Sequence, residues 1–313
     1  MTYRDRLPQL DGGAFLTDGG LETVLIFHEG IDLPQFAAFT LLEDSDGREQ
    51  LRRYYEPYID LARAHDTGFV LESPTWRASS RWARELGYDA GRLGELNRDA
   101  ITLMEELRES AGLARPVVVS GNIGPQDDGY QPSQLLSADQ AAEYHAEQIG
   151  TFADTEADQV AALTMTYADE ATGVARAAKE AGIPSVISFT VETDGRLPSG
   201  QSLGEAIQEV DEATDGAPAY YMINCAHPTH FEGVLGEGSE WQERVSGLRA
   251  NASTMSHAEL DEAETLDDGD PEDLGRRYAG LRNALPNLSV LGGCCGTDHR
   301  HVAAIAATRR EPN

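Results

Sequence analysis

Lysine is all but absent from this chain. Lys179 is the only one, and every other basic residue counted with it is arginine. Against 54 Asp and Glu, the 24 Lys and Arg leave a formal net charge of −30 over 313 residues. Phosphate backbones are bound by clustered Lys and Arg, so this balance argues against a nucleic-acid partner. The acids are spread along the whole chain, which reads as a solvating, halophilic surface suited to a high-salt cytoplasm. No apolar run approaches the roughly 20 residues needed to cross a membrane, so no membrane partner is expected. Residues 1–7 contain no apolar signal core, and a cytoplasmic location follows as an expectation. Cysteine is nearly as scarce. Three residues cannot pair evenly and form no disulfide framework, which points to a reducing compartment. Lys179 is not in a Gly-x4-Gly-Lys context and no Gly-x-Gly-x-x-Gly follows a strand, so nucleotide-binding folds are disfavoured.

Hydrophobic residues make up 40% of the chain, enough for a real core. The length suits one large α/β barrel or two ordinary domains. Short apolar runs at 14–18, 68–72, 116–121, 159–164, 185–190, 219–225, 248–251 and 288–294 read as strands. Pro116-Val117-Val118-Val119 and Ser185-Val186-Ile187 have the continuous hydrophobicity of strands buried on both faces. Helical patterns lie between them at 91–111, 137–152, 169–181, 202–210, 272–285 and 298–308. The βα alternation with eight strands predicts a closed (β/α)8 TIM barrel, with residues 1–313 forming a single domain and no linker dividing it. Two excursions, 121–134 and 256–270, follow strand ends, where barrel loops build the site.

The cysteines occupy two places only. Cys225 closes Tyr220-Tyr221-Met222-Ile223-Asn224-Cys225, and Cys294 and Cys295 are adjacent in Gly292-Gly293-Cys294-Cys295-Gly296-Thr297. Both groups directly follow apolar strands. Strands six and eight are close neighbours across a barrel mouth, so the three thiols can meet there. Three thiolates hold one Zn2+ ion and leave its fourth tetrahedral position open, as in a catalytic rather than a structural site. Glycines 292, 293 and 296 let the backbone turn both adjacent thiols toward one ion. His227, His230, His299 and His301 are competing ligands, but each lies just past a cysteine, where a starting helix turns it elsewhere. The remaining strand ends supply Asp18, Gly19, Gly20, Glu72, Asn122, Thr164, Thr190, Asn224 and Asn251 as a polar ring.

These motifs resemble those of the homocysteine S-methyltransferase family, which includes betaine- and S-methylmethionine-dependent enzymes and the homocysteine module of cobalamin-dependent methionine synthase. The matching pieces are Asp18-Gly19-Gly20-Leu21-Glu22-Thr23, Gly121-Asn122-Ile123-Gly124-Pro125, Asn224-Cys225 and Gly292-Gly293-Cys294-Cys295-Gly296. They run nearly from end to end. The resemblance implies a zinc-bearing barrel that transfers a methyl group from a small S- or N-methyl donor to a thiol, with homocysteine giving methionine as the leading case. It implies Cys225, Cys294 and Cys295 as metal ligands through which catalysis proceeds. It also implies that the amides of Asp18-Gly19-Gly20 hold the amino acid's carboxylate.

One departure bears on the acceptor. Where the family carries a glutamate that binds the ammonium of homocysteine, at the end of strand four, this chain has Leu163-Thr164. Glu72, from strand two, is the candidate replacement, and Asn224 completes the expected substrate residues. A thiol without an α-amino group therefore competes as acceptor. Trp76, Tyr130 and Tyr167 are candidates to face a methyl cation by cation–π contact. The length leaves no room for cobalamin or folate modules, so a free donor such as S-methylmethionine, S-adenosylmethionine or betaine is expected. Two rival readings are a zinc hydrolase, which would need His and carboxylate ligands, and a non-catalytic zinc or redox protein using Cys294-Cys295 as a reversible disulfide. The acidity favours solubility and is compatible with an oligomer.

Overall fold

The computed structural model describes residues 2–236 and 239–308. Eight parallel strands close into a barrel in chain order. They are β1 (Phe15–Leu16), β2 (Gly68–Glu72), β3 (Val117–Ile123), β4 (Gln159–Met165), β5 (Ser185–Phe189), β6 (Tyr220–Asn224), β7 (Val245–Ala250) and β8 (Val290–Gly293). β1 pairs with both β2 and β8, so the sheet has no edge. The helices following the strands are α1 (Ser45–Ala64), α2 (Ala90–Ala111), α3 (Ala138–Ala153), α4 (Ala168–Ala181), α5 (Leu203–Thr214), α6 (Glu240–Glu243), α7 (Pro271–Leu281) and α8 (His299–Ala307). The (β/α)8 expectation holds. Among the described residues, no helix is long and apolar enough to cross a membrane.

Side-chain alternation divides the core into two layers. Phe15, Val70, Val118, Ala161, Leu163, Val186, Tyr220, Met222 and Val290 pack inside the barrel. The intervening residues, among them Phe69, Leu71, Val119, Val160, Ile187, Tyr221 and Leu248, pack outward against the helices. The interior layer becomes polar at both ends. At the bottom, Gln9 donates to Gln159 Oε1 at 2.7 Å. Asp158 ties the N-terminal segment below the barrel, accepting from Thr2 N and Tyr3 N at 2.8 and 2.7 Å and from Arg108 and Val119 N at 3.0 Å. At the top, the inward positions become Glu72, Asn122, Asn224 and Arg249, which line a cavity.

The sequence reading gives no helix before β2, yet α1 runs 20 residues. Asp44 caps it by accepting from Gly47 N at 2.8 Å. Pro57 in its interior removes a backbone donor and obscures the pattern. The apolar face nevertheless carries Leu51, Tyr54, Tyr55, Tyr58, Ile59 and Ala62, all buried. Its Tyr55 lines the cavity described below, and its Tyr54 hydroxyl donates to Asp18 there. β7 begins at Val245, ahead of the expected 248, because Ser246 and Gly247 interrupt its hydrophobic run although both are buried.

Candidate active site and metal centre

The cavity has a volume of about 290 Å³ and opens at the C-terminal ends of the strands. Cys225, Cys294 and Cys295 lie on its wall, their sulfurs all within 4.8 Å of one another. The three cysteines are free thiols, and Cys225 Sγ is 3.7 Å from Cys295 Sγ. A tetrahedral ion with metal–sulfur bonds of about 2.3 Å separates two of its sulfur ligands by about 3.8 Å. The spacing and the all-sulfur donor set therefore fit a tri-thiolate metal site. The thiols also share charge. Hydrogen bonds from Cys225 and Cys295, aided by the Arg249 cation, hold the Cys294 pKa well below the ordinary thiol value. The same coupling pushes Cys225 and Cys295 up. Two further donors address the sulfurs. Asn224 Nδ2 lies 3.8 Å from Cys294 Sγ and the Tyr130 hydroxyl 3.5 Å from Cys295 Sγ.

The named histidines are used elsewhere. His227 Nδ1 is 2.8 Å from Thr229 Oγ1 and caps a short helix. His230 Nε2 meets Thr254 O at 3.0 Å, and His301 Nε2 meets Asp268 O at 2.8 Å. His299 begins α8 and lies outside the metal-ligating group.

Close packing at two glycines brings the sulfur loop to the first strand. A Cβ on Gly20 would sit 2.5 Å from Cys294 O, and a Cβ on Gly293 would lie 2.7 Å from Thr297 Cβ after colliding with its hydroxyl. Gly20 N donates to Thr297 O at 3.0 Å. The Asp18-Gly19-Gly20 turn thus lines the cavity while braced against β8.

The cavity floor is an ionic cluster that the sequence reading only half contains. Asp18 Oδ1 is 2.8 Å from Arg249 Nη2, and its Oδ2 accepts from the Tyr54 hydroxyl at 2.9 Å. Arg249 also donates to Gly293 O at 3.0 Å and Gly19 O at 3.1 Å. Among the described residues its Nη1 has no partner, and neither does Glu72 Oε2. Burial pushes Glu72 up to about 7, opposed by Arg249 and a hydrogen bond from Ser120. Glu22, half-buried on the same wall, is likewise raised to about 7, chiefly by desolvation. The sequence signal for Arg249 is an arginine inside a buried strand, which must be paired in the interior.

Asn224 is almost fully engaged. Its Oδ1 accepts from Thr164 N at 2.9 Å and Ser188 Oγ at 2.6 Å, and its Nδ2 donates to Thr164 Oγ1 at 2.8 Å. Thr164 is left-handed at φ 64, as is Cys225 at φ 52. Such backbones are costly for non-glycine residues and concentrate at functional sites. The β4–β5 register shifts between Ala162 and Met165 at the same place. Leu163, where a carboxylate was the family expectation, packs into the barrel interior. Trp76 and Tyr130 line the cavity; Tyr167 does not, and its hydroxyl accepts from Leu136 N at 2.9 Å. Arg77 is the other cation on the wall, stacked 4.1 Å from the Trp76 ring centroid and 3.7 Å from that of Trp82.

Fold and cavity together define a (β/α)8 barrel with three clustered thiols at the face where such barrels carry their active sites. The sequence model of the family described as homocysteine S-methyltransferase matches residues 15–309, and the chain belongs to that family. It is thus a methyltransferase. "Homocysteine S-methyltransferase 4" of Zea mays is 24% identical, covering 96% of this chain and 90% of the relative. The homocysteine methyltransferase MmuM of Escherichia coli has the same fold. Its oxidized form superposes with a TM-score of 0.74 at 19% identity, over 95% of this chain and 96% of that one. Its metallated form gives 0.71 at 16% identity, with the same coverage.

Proposed function

We propose that this chain is a zinc-dependent S-methyltransferase that moves a methyl group from a small onium donor to a thiol, most simply homocysteine, giving methionine. The carrying observation is the convergence of Cys225, Cys294 and Cys295 at tri-thiolate spacing in the barrel cavity. These three residues would hold the ion. Zinc, when bound, supplies a Lewis-acid position at which a substrate thiol is taken as the more nucleophilic thiolate. Three cysteinates leave about one net negative charge at the centre, so the acceptor sulfur stays electron-rich. Loss of a methyl group leaves a cationic onium donor electrically reduced by one charge and in need of no general acid. The chain's task is then orientation.

In this reading the acceptor's head group lies against Asp18, Gly19, Gly20 and Glu72. Glu72 has an oxygen without a partner among the described residues, and its raised pKa leaves it ready to ionise against an arriving ammonium. Asn224 holds Thr164 at the β4 end and addresses Cys294. Trp76 and Tyr130, with Glu22, Asp128 and Asp261 on the same wall, suit a cationic donor. We also read the whole chain as one catalytic module working in a salty cytoplasm.

A second acceptor class is favoured by one observation. Leu163 is apolar and buried at the end of β4, and Asp18 is already engaged by Arg249 and Tyr54. A thiol lacking an α-ammonium would need neither.

The test is to purify the protein reduced, in high salt, and measure zinc with and without Cys294→Ala. About one zinc per chain, lost in the variant, supports the site. Homocysteine and 3-mercaptopropionate are then offered with S-methylmethionine, S-adenosylmethionine or betaine. Absence of zinc from folded, metal-supplied protein would sink the mechanism. Preference for the amino-free thiol would select the second acceptor class.

A further inference from the structure

His257 belongs to none of the motifs discussed so far. It starts a short helix, His257–Asp261, in the loop after β7 and is 2% exposed. Its Nε2 is 2.8 Å from the Cys225 carbonyl oxygen, and its Nδ1 is 2.9 Å from Glu192 Oε1 in the loop after β5. The same carbonyl accepts from Asn251 Nδ2 at 3.0 Å and from Thr190 Oγ1 at 3.4 Å. Three side chains from the segments after β5 and β7 therefore converge on one backbone oxygen. That oxygen belongs to a left-handed, non-glycine residue with φ 52. A backbone in this region persists only where its surroundings over-determine it. One flat face of the imidazole is covered by Tyr130, with ring centroids 4.0 Å apart and planes at 9°. The Tyr130 hydroxyl in turn points at Cys295 Sγ.

We propose that His257 is a positioning residue of the sulfur centre. It fixes the Cys225 backbone through the carbonyl, and so the direction of the Cys225 thiol. Through the stacked Tyr130 ring it also steadies the approach to Cys295. Glu192 orients the imidazole for both tasks. The proposal rests on the metal-binding reading above and deepens it: the ligand geometry is set by a clasp joining the loops after β3, β5 and β7, not by the cysteine strands alone. Groups that orient metal ligands typically alter metal affinity about 10–100-fold when removed.

The full chain is tested as wild type, His257→Ala and His257→Gln. Zinc affinity is measured by competition with a chromophoric chelator, alongside thermal unfolding. His257→Ala is expected to weaken zinc about 10–100-fold. His257→Gln, whose amide nitrogen reaches the position of the imidazole Nε2 and retains a donor toward the carbonyl, is expected to recover a large part of that loss at a Tm no higher than that of the alanine variant. Unchanged affinity in His257→Ala overturns the proposal. So does a loss that tracks Tm equally in both variants, which would mark a purely structural role. A metal-free measurement separates failure of this idea from failure of the zinc reading. In chelator-treated, reduced protein, alkylation of Cys225 relative to Cys294 is followed by mass spectrometry. A several-fold change in that ratio in His257→Ala, reversed in His257→Gln, supports the clasp even if wild-type protein retains no zinc. Identical ratios in all three proteins overturn it.

Discussion

Arg249 and Asp18 meet at 2.8 Å with both side chains buried, joining the seventh strand to the turn after the first across the barrel mouth. Desolvation pushes Asp18 up, and Arg249 opposes that shift. Removing one partner of a buried pair leaves an uncompensated charge, which typically costs about 3–5 kcal/mol. Arg249→Met is therefore expected to lower unfolding stability by about that amount, measured in urea at high salt. Adding Asp18→Asn should recover part of the loss, because the orphaned charge is then gone. Strict additivity of the two single changes would show that the contact carries no coupling.

Glu72 provides a pH test. Its pKa in the folded protein is raised by burial from the ordinary 4.5 to about 7. Between those values the folded state binds more protons than the unfolded state, so stability falls as pH rises. The contribution is fully present below about pH 4.5 and lost as pH passes about 7, amounting to about 3 kcal/mol. Glu72→Gln should remove this component of the pH dependence while leaving zinc content intact. It should also weaken binding of an amino-bearing thiol. An unaltered stability slope between pH 5 and 8 in Glu72→Gln would rule out this titration, and unchanged thiol binding would rule out the ammonium role.

The order of strands and the meeting of the three cysteines are legible in the sequence because both rest on local patterns. Buried parallel strands read as apolar runs, and the thiols stand at the ends of two of them. What is not legible is the second partner of each charged group. Asp18 stands in a visible motif, yet its partners Arg249 and Tyr54 come from β7 and from a helix whose pattern is obscured by Pro57. Only closure of the barrel brings them together. The same holds for Asn224, whose amide embraces Thr164 at a sequence separation of 60. A left-handed threonine leaves no mark in composition or periodicity.

That embrace has its own consequence. Asn224→Ala removes two hydrogen bonds from Thr164 and leaves its buried backbone N–H unpaired. The expected cost is about 1–3 kcal/mol in unfolding stability, with a fall in methyl-transfer rate as the β4 end relaxes. Glycine accepts φ 64 without a Cβ penalty. Thr164→Gly should therefore be less damaging in the Asn224→Ala background than in wild type, where it also forfeits the Asn224 bond. Equal effects in the two backgrounds would show that the Asn224–Thr164 side-chain hydrogen bond carries no coupling.

Gly293 tests whether the sulfur loop tolerates any slack. It precedes Cys294, and a Cβ there would collide with the Thr297 hydroxyl while lying 2.7 Å from Thr297 Cβ and 3.0 Å from its Cγ2. Thr297 cannot easily withdraw. Its hydroxyl donates to Cys294 O at 2.7 Å, its amide donates to the same carbonyl at 3.1 Å, and its own carbonyl accepts from Gly20 N. Gly293→Ala should therefore move the loop rather than one rotamer, with an overpacking cost of about 1–3 kcal/mol. Because Cys294 lies inside that loop, zinc retention against a chelator should fall along with stability. Thr297→Gly in the same chain removes all three clashing atoms. The double variant should then hold zinc better than Gly293→Ala alone, despite having lost the threonine's own hydrogen bond. If instead the double variant is the worse of the two, the glycine serves backbone bending rather than close packing.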